Sequence, residues 1–273
     1  MLFRSPQRDE RLGWTADTQV FVRTAVHNAD CAAFYRKYID DLLDAQHPET
    51  GSFPDYAPTN AYIDKGRFGW ADAGVVIPWW LWRLYGDTEA VRTAWDGMRR
   101  YLDQRDRTAV GDLNLDWSFG DWVSPPPQTP NDVLGPIYHA WMHRLMAEMA
   151  QAIGRGTDAA HHRERFARIR AAWRAKHLAA DGRCATSDTQ AAYACALRAG
   201  LMDGAEAARH LARGVERHGW HLNTGFLGTY CLLPALSQCS RDDIAWRVLS
   251  STRLPSPRRT TITPRSSGRN AVA

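Results

Sequence analysis

The sequence predicts an all-α protein, a series of about ten helices paired into antiparallel hairpins. Three observations lead there. Apolar residues recur at helical spacing almost throughout, strand-like alternation is nearly absent, and most helical stretches are joined by short turns bearing Gly or Asp. No fixed-period repeat singles out an open solenoid, so a solenoid and a closed toroid of hairpins both fit this pattern.

The first helix is expected near 17–28. Over 30–46, Phe34, Tyr35, Tyr38, Ile39, Leu42 and Leu43 follow helical spacing. The same stretch contains Asp40-Asp41-Leu42-Leu43-Asp44, which spells the DDxxD of magnesium-dependent prenyl-diphosphate enzymes. Its helix is amphipathic and no second acidic motif answers it, so a solvated face is expected instead. A third helix is expected over 70–85. A fourth, over 87–104, carries Ala90, Val91, Ala94, Trp95, Met98, Tyr101 and Leu102 on one side, with Asp87 placed to cap its start. Helices follow over 131–153, 158–177 and 187–199. The stretch 203–218 opens with Asp203 and has Glu206 three residues on, as in a capping box, and stops at Gly219. Stretches 224–238 and 241–251 complete the series. Trp79, Trp80, Trp82, Trp141 and Trp173 lie inside these periods and are expected in the core.

A chain of 273 residues, 44% hydrophobic, can bury one sizeable core. Its formal charge of +4 is unevenly placed: residues 251–273 hold Arg253, Arg258, Arg259, Arg265 and Arg269 and no acid. The remainder is close to neutral, which argues against a nucleic-acid partner for the folded part. The five cysteines (Cys31, Cys184, Cys195, Cys231, Cys239) form no CxxC pair and are expected as buried free thiols in a reducing compartment. No apolar run approaches the roughly 18 residues of a membrane span, and no signal peptide follows Met1. A cytoplasmic protein with no membrane partner is therefore expected. His161, His162, His177 and His210 lack metal-ligand spacing, and neither HExxH nor a P-loop occurs, so no metal or cofactor is expected.

Chemistry concentrates in three places. The run Arg8-Asp9-Glu10-Arg11-Leu12-Gly13-Trp14-Thr15-Ala16-Asp17 gathers carboxylates, guanidiniums and an indole around one glycine, with no apolar period of its own. A core element would not carry so many charges, because each buried one must be paired. The run reads either as a salt-bridged surface loop or as a sugar site, with an acid to protonate a leaving oxygen and an aromatic face for C–H groups. Two long Gly- and Pro-bearing connections, 47–69 and 107–130, lie next to Trp70 with Asp72, and contain Asp121 with Trp122. Trp117 beside Asp116 repeats the theme more weakly. His221, before a glycine-bearing turn, is expected to be structural.

The run Ser5-Pro6-Gln7-Arg8-Asp9-Glu10-Arg11-Leu12-Gly13-Trp14-Thr15-Ala16-Asp17 resembles the signature of bacterial α-L-rhamnosidases, glycoside hydrolase family 78. Further matches follow in order: Gly69-Trp70-Ala71-Asp72-Ala73, Pro78-Trp79, Tyr85-Gly86-Asp87, Gly120-Asp121-Trp122, Gln190, and His221-Leu222-Asn223-Thr224-Gly225-Phe226-Leu227-Gly228-Thr229. The resemblance implies an (α/α)6 toroid, a six-hairpin glycosidase domain over 1–252, and hydrolysis of terminal α-L-rhamnose with inversion. It implies that Glu10 is the general acid and that Arg8, Trp14, Asp17, Trp70, Asp72, Asp121 and Trp122 bind substrate. The implied partner is a rhamnose-containing glycoside or oligosaccharide, and a homo-oligomer is compatible with it.

The chain also departs from the family pattern. Arg4 stands where an aspartate is usual, and Ala16 where a glycine is usual. The family's general base is a glutamate in a Trp-Glu-Arg-Trp-like segment after the last helix, whereas no glutamate follows Glu216 here. Residues 253–273 are instead rich in Arg, Ser, Thr and Pro, which suggests a disordered or out-of-frame tail and a domain truncated at both ends. Weak or absent activity of the fragment is expected. The competing expectations are a non-catalytic sugar-binding or interaction remnant, and a six-hairpin glycosidase for another sugar.

Overall fold

The computed structural model describes residues 11–59 and 66–251. Among them are ten helices: α1 (Thr15–Asn28), α2 (Ala32–Asp44), α3 (Ala73–Tyr85), α4 (Thr88–Arg107), α5 (Asn131–Ala152), α6 (Gly156–His177), α7 (Gln190–Ala199), α8 (Gly204–Arg217), α9 (Phe226–Gln238) and α10 (Asp242–Ser250). Pairings outside helices are isolated bridges among the described residues, as the absence of strand-like alternation predicts. Each helix falls where apolar spacing places it, with ends shifted by a few residues.

The odd- and even-numbered helices have different jobs. In α3, α5 and α7 burial runs round most of the helix: Ala191 through Leu197 of α7 are all buried, and so are Val133 through His143 of α5. The small residues of α7 (Ala191, Ala192, Ala194, Ala196, Ala199) let its neighbours approach on both sides. The even helices are one-sided. In α4 the stripe Ala90, Val91, Ala94, Trp95, Met98, Tyr101 and Leu102 is buried, and in α6 only Ala159, His162, Ile169, Trp173 and His177 are. Packing follows the same division. α1, α3, α5, α7 and α9 pack each on the next, while α4, α6, α8 and α10 lie against the odd helix beside them in sequence. The result is an inner row of helices backed by an outer row. The core lies between the two rows, with Trp95, Trp173, Tyr35, Tyr101, Tyr138 and Tyr193 its largest fully buried aromatics.

Local chemistry ends several helices as the sequence predicts. Asp87 accepts the Ala90 N–H at 3.0 Å and caps α4. Gly86 at φ +71 receives the end of α3, and its N–H donates to Leu81 and Trp82 carbonyls, a left-handed closure that a side chain would strain. The capping box expected at α8 does not form. Asp203 instead meets Arg170 at 2.7 Å and Glu206 meets Arg174 at 3.2 Å, so two outer-row guanidiniums from α6 take the carboxylates that would have capped α8. Trp80, Trp141 and Trp173 are buried as expected, whereas Trp79 and Trp82 are half-buried beneath Arg83. All five cysteines are free and four are buried. No described helix is long and apolar enough to cross a membrane.

Candidate functional site

The connections that precede α1, α3, α5 and α9 meet at one end of the inner row. The entry to α1 is laced to the α2–α3 connection: Ala57 N–H donates to Gly13 O at 2.9 Å, Thr15 N–H donates to Asp55 O at 3.0 Å, and Trp14 forms an isolated antiparallel bridge with Tyr56. This lacing requires a glycine at 13, since a Cβ there would lie 2.3 Å from the Ala57 carbonyl oxygen. Gly13→Ala is therefore expected to destabilise the fold by about 1–3 kcal/mol, read as a lowered midpoint in urea unfolding.

The α2–α3 connection is held in turn by buried carboxylates. Asp55 accepts the Arg67 N–H at 2.8 Å and pairs with the Arg67 guanidinium. Burial pushes the Asp55 carboxyl above its usual range, against the two contacts from Arg67 that favour the charged form. Asp72 accepts the Gly69 N–H at 2.6 Å and the Tyr101 hydroxyl at 2.9 Å. Gly69 sits at φ +79 with Leu227 pressed against its bare Cα, so the turn before α3 suits glycine on two counts.

The α4–α5 connection is anchored at both ends of its aromatic stretch. Ser118 Oγ donates to Phe68 O at 2.8 Å, and Asn131 Nδ2 donates to Ser118 O at 2.7 Å. Three residues on, Asp121 receives the Gly225 N–H at 2.7 Å and the Gly228 N–H at 2.8 Å, clasping the first turn of α9. Phe226 N–H then donates to Trp122 O at 2.8 Å. A carboxylate at a helix start meets both the unpaired N–H groups and the positive end of the helix dipole.

These anchors gather the aromatic side chains around Phe119. Its ring centroid lies 4.9 Å from that of Trp70, 5.4 Å from Trp117, 5.8 Å from Trp122 and 6.0 Å from Trp14, all edge-to-face. Tyr56 packs edge-on against Trp14 at 5.7 Å, and Phe226 lies 6.4 Å from Trp70. The Arg67 guanidinium sits over Phe119 at 4.7 Å and over Trp117 at 5.1 Å. Trp70 is 5% exposed and forms the floor, while Trp122 and Trp117 stand 54% and 64% exposed at the rim.

The structure thus brings together Trp14, Trp70 and Trp122 from three separate connections. Asp17 lies in the first turn of α1, half-buried. Arg8 and Glu10 lie outside the described residues. Asp72 and Asp121, expected as substrate contacts, are bound to backbone N–H groups. Asp72 is 1% exposed, and both carboxylates are engaged by the N–H and O–H donors that shape the loops, so they hold the tryptophans beside them rather than reach outward. Phe119, Tyr56, Asp55 and Arg67 were not foreseen. The aromatic spacing Trp117-x-Phe119-x-x-Trp122 could have pointed to Phe119, but nothing local marks the Asp55–Arg67 pair. His221 is structural as expected: its carbonyl accepts from Gln190 and its ring meets Ser251.

Aromatic rings gathered over the starts of packed helices, with the Arg67 guanidinium among them, define a helical-hairpin protein with an aromatic-lined site at one end. The chain belongs to the bacterial alpha-L-rhamnosidase six-hairpin glycosidase domain family, whose model matches residues 4–259. It is 39% identical over 92% of its length to an alpha-L-rhamnosidase of Streptomyces avermitilis, and 29% identical over 92% to one of Alteromonas sp.. It spans 24% and 29% of those relatives' lengths. The crystal structure of the Streptomyces avermitilis alpha-L-rhamnosidase complexed with L-rhamnose superposes with a TM-score of 0.87, covering 93% of this chain and 24% of that one. The alpha-L-rhamnosidase from Dictyoglumus thermophilum superposes with a TM-score of 0.85 at 27% identity, covering 92% and 29%.

Proposed function

We propose that this chain is the catalytic-domain portion of an α-L-rhamnosidase, which binds terminal α-L-rhamnose and donates the proton for its hydrolysis with inversion. The observation that carries this reading is the convergence of Trp14, Trp70 and Trp122 on Phe119 at the helix starts. A deoxyhexose offers a methyl group and an apolar ring face to such a floor, while Asp17 and Arg8 suit its hydroxyls. The similarity to a rhamnosidase crystallised with L-rhamnose supports the same sugar.

In this reading Glu10 protonates the glycosidic oxygen. Glu10 stands four residues before Trp14 in the sequence. An inverting reaction also needs a base about 6.5–9.5 Å from the acid to activate water on the opposite face. No glutamate follows Glu216 in this sequence, so the base is not assigned to one of its residues. That feature also favours the second reading, a rhamnose-binding remnant without turnover.

Calorimetry with L-rhamnose and an assay with p-nitrophenyl α-L-rhamnoside test both readings. Binding with slow release of p-nitrophenol supports the enzyme, binding alone supports the remnant, and no binding overturns both. Because Trp122 is more than half exposed, Trp122→Ala should leave the unfolding temperature nearly unchanged while weakening L-rhamnose binding about tenfold, the loss of one stacking surface.

A further inference from the structure

Away from the aromatic site, α4, α5 and α6 bring a carboxylate and three histidines together. His139 and His143 stand four residues apart on the buried face of α5, so both rings project on one side toward the last turn of α4. His139 Nε2 lies 3.1 Å from Asp106 Oδ1, His143 Nε2 lies 3.4 Å from the same oxygen, and the two nitrogens are 3.2 Å apart. These three atoms form a nearly equilateral triangle. A tetrahedral zinc centre with bonds of about 2.0–2.1 Å holds its ligand atoms about 3.3–3.4 Å apart, the same spacing as this face.

Hydrogen bonding alone can hold the triangle, with the buried His139 Nδ1 left unpartnered. His143 Nδ1 lies 3.0 Å from His162 Nδ1, so one of the two must donate. If His143 donates, its Nε2 lone pair can accept from His139 Nε2–H, which also faces the Asp106 oxygen. If His162 donates, the His143 proton sits on Nε2, opposite the Nε2 of His139. With the His139 proton on Nδ1, as ligation through Nε2 also requires, His143 Nε2–H faces two acceptors, Asp106 Oδ1 and His139 Nε2, and the buried Nδ1 has no hydrogen-bond partner. Three lone pairs converging on one point are, however, what a divalent cation requires.

We propose that Asp106, His139 and His143 form a binding site for a divalent transition metal of the zinc class, clamping the end of α4 to the middle of α5. His162 on α6 then acts from behind the ligands, accepting the His143 Nδ1 proton and fixing its Nε2 toward the metal. Asp106 is 23% exposed while both imidazoles are fully covered, so the ion enters from the Asp106 side and water takes the fourth position. Arg165 also donates to Asp106, at 2.6 Å to Oδ1 and at 3.2 Å through Nε to Oδ2, and its charge is shared with Asp112 at 2.7 Å. Metal binding leaves Arg165 on Oδ2 and Asp112 and takes over Oδ1. Neighbouring Arg105, buried beside Asp116, and Arg168 on Asp112 keep the surroundings cationic. The site is therefore one of moderate affinity.

The test uses the full chain, metal-free and without a histidine tag, titrated with Co²⁺ and followed by visible d–d absorption. The expected result is an intense tetrahedral-type band that saturates at a single equivalent and is bleached by Zn²⁺, with the unfolding temperature raised by Zn²⁺ and restored by chelator. His143→Gln should abolish the band, and His162→Gln should weaken affinity about 10–100-fold. Absence of the band, or a band unchanged in His143→Gln, overturns the proposal, the latter by placing the ion on surface histidines. Should His143→Gln fail to fold by circular dichroism, anomalous scattering from Zn²⁺-soaked wild-type crystals decides. A peak inside the triangle upholds the site, and no peak there refutes it.

Discussion

Glu10→Gln is expected to lower turnover of p-nitrophenyl α-L-rhamnoside by roughly 10²–10⁴ while leaving the affinity for L-rhamnose within about twofold. The amide keeps the shape and hydrogen-bonding reach of the acid but has no proton to give. The loss should depend on the leaving group. A 2,4-dinitrophenyl rhamnoside departs as a stable anion and needs little protonation, so its hydrolysis should suffer far less than that of a methyl rhamnoside. Measuring kcat for a series of leaving groups in wild type and variant gives a direct reading. Equal losses across the series would remove Glu10 from the acid role, and a parallel loss of rhamnose affinity would make it a binding residue.

The second large effect is on stability. Asp121→Ala is expected to destabilise the chain by about 3–5 kcal/mol, seen as a lowered midpoint with unchanged slope in urea unfolding. The carboxylate receives two N–H groups from the start of α9, and both donors are buried. Removing it strands those donors away from water and deletes the negative charge that faces the helix dipole. Asp121→Asn should fall between the two, since its amide still accepts one N–H but turns a donor toward the other. Because Phe226 N–H bonds the Trp122 carbonyl next door, the alanine variant should also bind L-rhamnose more weakly than its global stability explains. A loss of less than about 1 kcal/mol would mean that the clasp is replaced by water.

The fold was legible because its signal is periodic and local. All ten helices announce themselves through apolar spacing, and Asp87 and Gly86 mark their boundaries through chemistry that involves only near neighbours. The capping box at Asp203 and Glu206 failed for the complementary reason. Arg170 and Arg174 approach from α6, about thirty residues away, and win the carboxylates by forming ion pairs no local pattern records. The site divides in the same way. Tryptophans beside glycines and acids were recognisable as site walls, and three of them do meet. The backbone partners of Asp72 and Asp121 were not legible, because a carboxylate next to a tryptophan looks the same in sequence whether it faces a sugar or a backbone amide. Phe119 is the hub of the cluster, yet in sequence it is one phenylalanine in a long connection. The His139–His143 pair escaped notice because each ring is buried in an otherwise apolar helix, and its partner Asp106 sits on another.

The clasp between Asp121 and the start of α9 joins residues 104 and 107 positions apart, and the lacing of Thr15 to Asp55 spans 40. Contacts of such reach form late, since the intervening chain must already be ordered. On a ribosome, the hairpins would assemble one after another as they emerge, but Trp122 would lack its final support until residue 228 had left the exit tunnel. The aromatic cluster would thus be completed only once α9 had begun to form.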